Sequence, residues 1–430
     1  MSLAPEVSSS TDPAPLDDGG THVDAPELRL FVMALFFIFG GITSLNDVLI
    51  PKLKELFTLS YMQAMLVQSA FFGAYFIVSG FGAMLVKRVG YMRSATIGLL
   101  TMMAGCLLFI PASASATFSV FLFALFVLAS GVTVVQVVAN PLISLLGPAR
   151  TAHSRLTFAQ AFNSLGTTVF PYVGSIVMLG SLAAISASQL TGQALEDYRV
   201  AETQAIVKSY FGLAVALLIV AAVVWFNRHR LKGERHDGSS LFGSFDLLRR
   251  TRFGFGAACI FLYVGAEVAI GSLIVNYLMQ SNVLGLGEQA AGKLIPLYWG
   301  GALIGRFIGS AVLRAYSPGK VLAFHAVGAA TLILISANTT GALSGYSLLA
   351  IGLMNSIMFP TIFTLASEGL GSRAADGSGI ICMAIVGGAV IPPLTGRLAD
   401  VSGSLGFALL LPALCYLVIA AYGLYARRPA

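Results

Sequence analysis

The chain has 430 residues, 57% of them hydrophobic and only 10% charged, whereas a soluble globular domain carries about 25% charged residues. A string of soluble domains is therefore excluded. The formal net charge of +6 comes from basic residues in short loops between apolar runs, with no aromatic-interleaved basic patch, so the expected partner is a lipid bilayer and not nucleic acid.

In chain order, residues 1–28 are rich in Ser, Pro, Asp and Gly and read as a disordered cytoplasmic tail with no signal-peptide pattern. A membrane span needs about 20 apolar residues. Twelve such stretches follow, near 29–56, 62–87, 93–111, 117–146, 153–180, 205–227, 252–279, 288–314, 320–338, 343–368, 374–398 and 403–425. They divide into a six-helix bundle over 29–227, a cytoplasmic central loop over 228–251, a second bundle over 252–426 and a cytoplasmic tail over 427–430. The predicted fold class is an all-α membrane protein with twelve transmembrane helices.

Orientation follows from loop Lys and Arg. Lys87, Arg88, Arg93, Arg150, Arg155, Arg314, Lys320 and Arg373 share one side with the basic central loop, Arg427 and Arg428; the other side holds little beyond Lys52, Lys54, Arg199 and Arg397. Both termini are expected in the cytoplasm, in a bacterial-type inner (plasma) membrane. Internal similarity crosses the central loop: Gly166, Pro171 and Gly174 return as Gly388, Pro393 and Gly396, and Gly40 aligns with Gly265. These matches predict two pseudo-symmetric six-helix halves, with substrate bound between them near the midplane.

Two acids stand inside apolar spans. A carboxylate at a helix centre costs about 2.5–3.5 kcal/mol on insertion scales. Asp47 lies in the first span, four residues before Pro51, a proline expected to bend that helix; the plain structural alternative is a helix-end acid reaching interfacial water. Glu267 lies near the middle of span 7, where Lys293 and Arg306 of span 8 are in reach for a structural ion pair. The functional reading is proton coupling, because burial favours the neutral form of a carboxyl and lets it load from one side and unload to the other.

Spans 4 and 5 carry the expected substrate contacts. Gln136 and Asn140 are four apart and Gln160 and Asn163 three apart, each pair on one helical face. Amides offer both donors and acceptors and suit a neutral polyhydroxylated ligand; the alternative is glue between helices. Asn46, Asn276 and Asn355 are further polar candidates, and Phe36, Tyr263 and Trp299 are aromatic candidates for a sugar-ring platform, with ordinary packing as the alternative. Lys87, Arg88, Arg93, Arg155 and Arg306 are candidate gating residues. Cys106, Cys259, Cys382 and Cys415 lie in apolar stretches and read as core. No metal or cofactor is expected, no enzyme motif stands out, and a monomer is the default.

The stretches SLNDVLIPKL, QVVANPLISLLGP, RLTFAQAFNSLGTT and YVGAEVAIGSLIVNYL resemble the fucose–galactose–glucose/proton symporter branch of the major facilitator superfamily, over nearly the whole chain from about residue 30. The resemblance implies the major facilitator fold, transport of a neutral sugar and proton coupling. By it, Asp47 matches the first-helix proton-linked carboxylate, and Gln160 and Asn163 match polar positions near the sugar. Gln136 departs from the fucose symporters, which have a glutamate there, while Glu267 replaces a glutamine. This combination looks more like the glucose/galactose transporters of that family and implies that Glu267 carries the second coupling role or binds sugar. Residues 82–93 resemble the superfamily's loop 2–3 signature, with Lys87 in place of the usual acid, which puts the associated gating salt bridge in doubt. Fucose or N-acetylglucosamine as substrate and sodium as coupling ion are alternatives. Drug efflux and a non-transporting sugar sensor are the rival readings; the sensor would bring a signalling domain for which the chain has no room.

Overall fold

The structure, a computed structural model, describes residues 27–57, 61–115, 117–174, 191–228 and 241–428. Nearly all of the predicted N-terminal tail, residues 175–180 of the fifth predicted span, 229–240 of the central loop and 429–430 of the C-terminal tail lie outside the described residues, as do the side chains of Asn46, Asp47, Lys52 and Lys54.

Among the described residues the regular structure is entirely helical. The first six spans are α1 (Glu27–Leu56), α2 (Tyr61–Val89), α3 (Tyr91–Ser115), α4 (Phe118–Leu145), α5 (Ala152–Gly174) and α6 (Gln193–Phe226). The second six are α7 (Thr251–Met279), α8 (Ile295–Ala315), α9 (Pro318–Asn338), α10 (Gly341–Ser367), α11 (Gly371–Ser402) and α12 (Leu405–Tyr425). Within the described residues, ten of the twelve are long and apolar enough to cross a membrane; the described parts of α5 and α8 are not among them. Those two carry His153, Arg155, Gln160 and Asn163 in one case, and Arg306 and Arg314 in the other.

Three differences from the predicted elements have local causes. Helix α1 begins at Glu27, inside the predicted tail, and runs through Pro51 to Leu56 without interruption. Helix α6 starts at Gln193, twelve residues ahead of its apolar run, because QALEDYRVAETQ is made largely of helix formers; there Arg199 donates to the Leu56 carbonyl at the end of α1 (2.9 Å). The central loop is not wholly irregular, since Leu241–Arg249 forms a 3-10 segment.

Prolines follow three of the breaks within spans; the break after Ala384 in α11 has its next proline eight residues on, at Pro392. A proline has no N–H for the carbonyl four residues back, and its ring crowds that carbonyl. Regular helix stops at Leu107 ahead of Pro111, at Asn355 ahead of Pro360 and at Ala408 ahead of Pro412. Each stop falls four or five residues before the proline.

The duplication is visible in the packing. Helix α1 packs on α5 as α7 packs on α11; α2 pairs with α4 as α8 pairs with α10; α3 meets α6 as α9 meets α12. Arg29 at the start of α1 donates to the Leu146 carbonyl beyond α4, and Arg252 at the start of α7 donates to the Leu365 carbonyl of α10, both at 2.9 Å. The close crossings need glycine: a methyl group on Gly166 would strike the Phe37 carbonyl of α1, and one on Gly387 would strike the Phe261 carbonyl of α7. Gly387, and not Gly388, is therefore the packing counterpart of Gly166. Gly388 faces Phe72 of α2 instead.

The halves meet through α2 with α11 and α5 with α8, the same pair of positions in each repeat, and more lightly through α4 with α11 and α5 with α10. The polar contacts between them gather at the end of the molecule where α1 starts and α12 finishes, here the terminal end.

Candidate functional site

In the second half, one turn of α7 and three other helices surround an acid. Tyr263 donates to Oε1 of Glu267 (2.7 Å) and also approaches the Asn355 carbonyl (3.1 Å). Asn355 Nδ2 donates to the Tyr298 hydroxyl (2.8 Å), and Tyr416 of α12 donates to Asn355 Oδ1 (2.7 Å). The Tyr298 hydroxyl in turn reaches the Glu267 carbonyl (3.4 Å). Tyr263, Tyr298, Tyr416 and Asn355 are buried, while Glu267 is partly accessible. The carboxylate thus accepts from Tyr263, beside a linked network in which the buried polar groups are matched, a requirement for polar groups away from water. Asn355 organises this network, with both its amide oxygen and nitrogen engaged. Trp299 is exposed, sets its ring edge-on to Tyr298 (5.0 Å between centroids) and covers Gly271. Asn276 is exposed on α7, away from the cluster's hydrogen bonds.

The proline break in α10 builds the next contact. Pro360 has no N–H for the Ser356 carbonyl, and Arg306 Nε of α8 takes that acceptor instead (3.1 Å). Arg306 Nη1 then crosses to the first half, donating to the Gln160 carbonyl (3.0 Å) and to the Ser164 hydroxyl. No ion pair joins Arg306 or Lys293 to Glu267 among the described residues, contrary to the plain alternative.

The four amides of α4 and α5 do not bond one another. Gln136 accepts from Tyr75 of α2 (2.7 Å). Asn140 is fully buried without a conventional hydrogen bond on either amide atom, beside the weakly polar Cys382 thiol of α11. Gln160 is buried and offers its carbonyl to Arg306. Asn163 turns to α1, where its Nδ2 lies 3.4 Å from the Phe36 carbonyl and its side chain covers Gly40. Phe36 is fully buried against Phe39, a core position and not an open platform. Asn46 and Asp47 sit on α1, their side chains outside the described residues.

At the terminal end the halves are latched. Lys87 at the foot of α2 pairs with Asp376 of α11 at 2.7 Å, both buried. Ser244 of the central 3-10 segment donates to the same carboxylate (2.7 Å), and Arg373 holds Asp246 of that segment through two bonds of 2.8 and 2.5 Å. A buried ion pair therefore joins the halves, with Lys87 at the position where the resemblance places an acid. On the opposite flank, His153 of α5 meets Glu368 (3.1 Å) and Thr364, while Arg252 braces Glu368. Ser154 donates to the Ser310 carbonyl (2.6 Å) and accepts from Arg314 (3.0 Å); Ser378 donates to the Val137 carbonyl (2.8 Å).

Arg155 does not join this latch. It donates to the carbonyls of Ile143, Ser144, Gly147 and Pro148 (3.2, 2.6, 3.1 and 2.8 Å), closing the C-terminal end of α4 within its own half. Arg88 and Arg93 are exposed. Asp376, His153, Glu368, Tyr75 and Tyr416 are the participants that the sequence reading missed. Asp376 carried a usable signal, an acid at the start of an apolar span.

Residues 32–393 match the family described as the Major Facilitator Superfamily. The chain is 47% identical over 390 residues to the "Glucose/galactose transporter" of Brucella abortus biovar 1 (strain 9-941), covering 91% of this chain and 92% of that protein. It is 31% identical over 410 residues to the "L-fucose-proton symporter" of Escherichia coli (strain K12), covering 92% and 93%. A crystal structure of a Major Facilitator Superfamily transporter, FucP, in the outward conformation superposes with a TM-score of 0.85 at 30% identity, over 94% of this chain and 99% of that one.

Proposed function

The chain belongs to the Major Facilitator Superfamily, and from that premise we propose that it is a secondary active transporter importing a neutral hexose, glucose or galactose foremost, by proton symport through alternating access. It is a transporter-family protein and not an enzyme. The observation that carries the proposal is Glu267, an acid near the middle of α7 that accepts from Tyr263 beside a linked network of Tyr298, Asn355 and Tyr416. A structural acid needs a fixed counter-ion; this one has hydroxyl and amide neighbours that accommodate either protonation state.

Basic loops favour a cytoplasmic terminal end, in a bacterial inner membrane. The contacts there then seal the cytoplasmic side, and the described state corresponds to an outward-facing carrier. Asp47 and Glu267 supply one proton-linked carboxylate in each half. Gln136, Gln160 and Asn163 line the sugar path of the first half, and Trp299 faces it from the second. The names carried by the relatives support a sugar as substrate.

The test is uptake of a panel of labelled sugars, with fucose and N-acetylglucosamine included, into proteoliposomes under separate proton and sodium gradients. Proton-driven accumulation of glucose or galactose is expected, and its loss in Glu267→Gln with exchange retained. Sodium-driven uptake, or wild-type accumulation by Glu267→Gln, would overturn the coupling assignment.

A further inference from the structure

Two prolines stand at matching points of the two repeats. Pro141 of α4 lies five residues before Leu146, whose carbonyl Arg29 takes, and Pro360 of α10 lies five residues before Leu365, whose carbonyl Arg252 takes. A proline has no N–H for the carbonyl four residues back, so two equivalent carbonyls, those of Val137 and Ser356, go without their helical donor. Both residues are fully buried, where an unpaired backbone acceptor is costly. Helix α4 runs through Pro141 from Phe118 to Leu145, so Val137 keeps its place in the helix and lacks only the bond.

Each carbonyl is taken up at the seam between the halves. The hydroxyl of Ser378, a fully buried residue of α11, donates across the seam to the Val137 carbonyl at 2.8 Å. Arg306 Nε of α8 donates to the Ser356 carbonyl at 3.1 Å, and its Nη1 continues to the Gln160 carbonyl of α5 at 3.0 Å. The first bond joins the halves directly. The second seats the side chain that joins them. In both cases the acceptor at the break is backbone, so the span gains it without a further polar side chain having to enter the membrane.

We propose that Pro141 and Pro360 are positioning residues for the closed terminal end. Each withholds one N–H, so that a backbone carbonyl inside a span either accepts the bond across the seam, as Val137 does, or seats the arginine that makes it, as Ser356 does. When the terminal end opens, Val137 loses Ser378 and Arg306 loses Gln160, and water entering between the halves pairs the groups that have parted. The Ser378 bond parts without leaving a bare charge on either wall, unlike the Lys87–Asp376 pair. The proposal rests on the terminal end opening during the cycle, the alternating access proposed above, and on no assignment of sugar or coupling ion.

The experiment places spin labels on the full-length protein at Arg150→Cys and Lys320→Cys, one on each half at the terminal end, and records their distance distributions in nanodiscs without sugar. The four native cysteines are buried. Ser378→Ala leaves the Val137 carbonyl bare in the closed state and should raise the open-to-closed ratio about tenfold. Pro141→Ala supplies the missing N–H, so alone it should raise the ratio about threefold, and added to Ser378→Ala it should bring the shift back down to about threefold. That reversal is the signature of the freed carbonyl, because a proline that only bends α4 would add its effect to that of Ser378→Ala. Pro360→Ala should raise the ratio about threefold as Arg306 loses its seat. A double variant at least as open as Ser378→Ala overturns the proposal, and so does Ser378→Ala or Pro360→Ala at the wild-type ratio. Asp376→Asn, which breaks the buried pair with Lys87, separates the two levels. If it opens the terminal end and Ser378→Ala does not, the proposal falls with alternating access intact; if no variant opens, both fall.

Discussion

Asp376→Asn should unlock the terminal end, and by more than removal of its partner does. Lys87 and Asp376 are 7% and 2% exposed and 2.7 Å apart. Breaking a buried ion pair from one side costs about 3–5 kcal/mol because a bare charge is left behind. Asp376→Asn removes the acid that both Lys87 (2.7 Å) and Arg373 (3.4 Å) face, while its amide can still accept from Ser244. Once the halves part, Lys87 is hydrated and the penalty vanishes, so most of it acts on the closed state alone. A shift of about 3 kcal/mol moves the open-to-closed ratio about 10²-fold. Lys87→Met leaves Asp376 still facing Arg373 (3.4 Å) and Ser244 (2.7 Å), so its shift should be about tenfold or less. Spin labels at Arg150→Cys and Lys320→Cys, exposed positions on either half at the terminal end, measure both ratios through their distance distributions. Equal shifts in the two variants, or a closed Asp376→Asn, would refute the reasoning.

Three further outcomes follow from the same geometry. Tyr416→Phe strands the Asn355 Oδ1 acceptor and should cost about 1–3 kcal/mol, read as a lower Tm in detergent with the outward state intact. Arg155→Ala removes donors to four carbonyls at the end of α4 and should cost at least about 2 kcal/mol, with sugar selectivity unchanged in competition assays. The Arg373 guanidinium holds the exposed Asp246 carboxyl below its usual range. A depressed folded value means this contact contributes above the unfolded value of about 3.9 and is lost as pH falls through the lower folded value. Docking of the 3-10 segment should therefore be constant from pH 5 to 8, and Asp246→Asn should leave the pH response of the terminal end unchanged over that window, as read by the same labels.

The spans were legible because an apolar run of bilayer length has few alternatives. The helix breaks at Asn355 and Ala408 were legible in principle from Pro360 and Pro412, by counting back four or five residues. Glu267 stood out as an acid in a hydrocarbon setting, but its partners did not. Tyr416 comes from the last helix, and only the packing of α7 against α12 brings it to Asn355. The paired amides show the limit of spacing arguments. Three or four residues apart does place two side chains on one face, yet which neighbour that face meets is a tertiary fact: Gln136 met Tyr75, and Asn163 met α1. The latch was obscured, since an inspection of the α2–α3 loop alone finds a lysine and no acid.

Helices α5 and α8 have a consequence for how the protein is made. Both carry polar side chains along their described lengths, His153, Gln160 and Asn163 on α5 and Arg306 and Arg314 on α8. Their polar faces satisfy each other, through Ser154 with Ser310 and Arg306 with Gln160. Helix α5 leaves the ribosome long before α8 exists, so the first half must hold this polar face in wait for its mate in the second. Biogenesis is thereby tied to the same surface that has to part and re-form during transport, and a substitution that eases the parting weakens the assembly step as well.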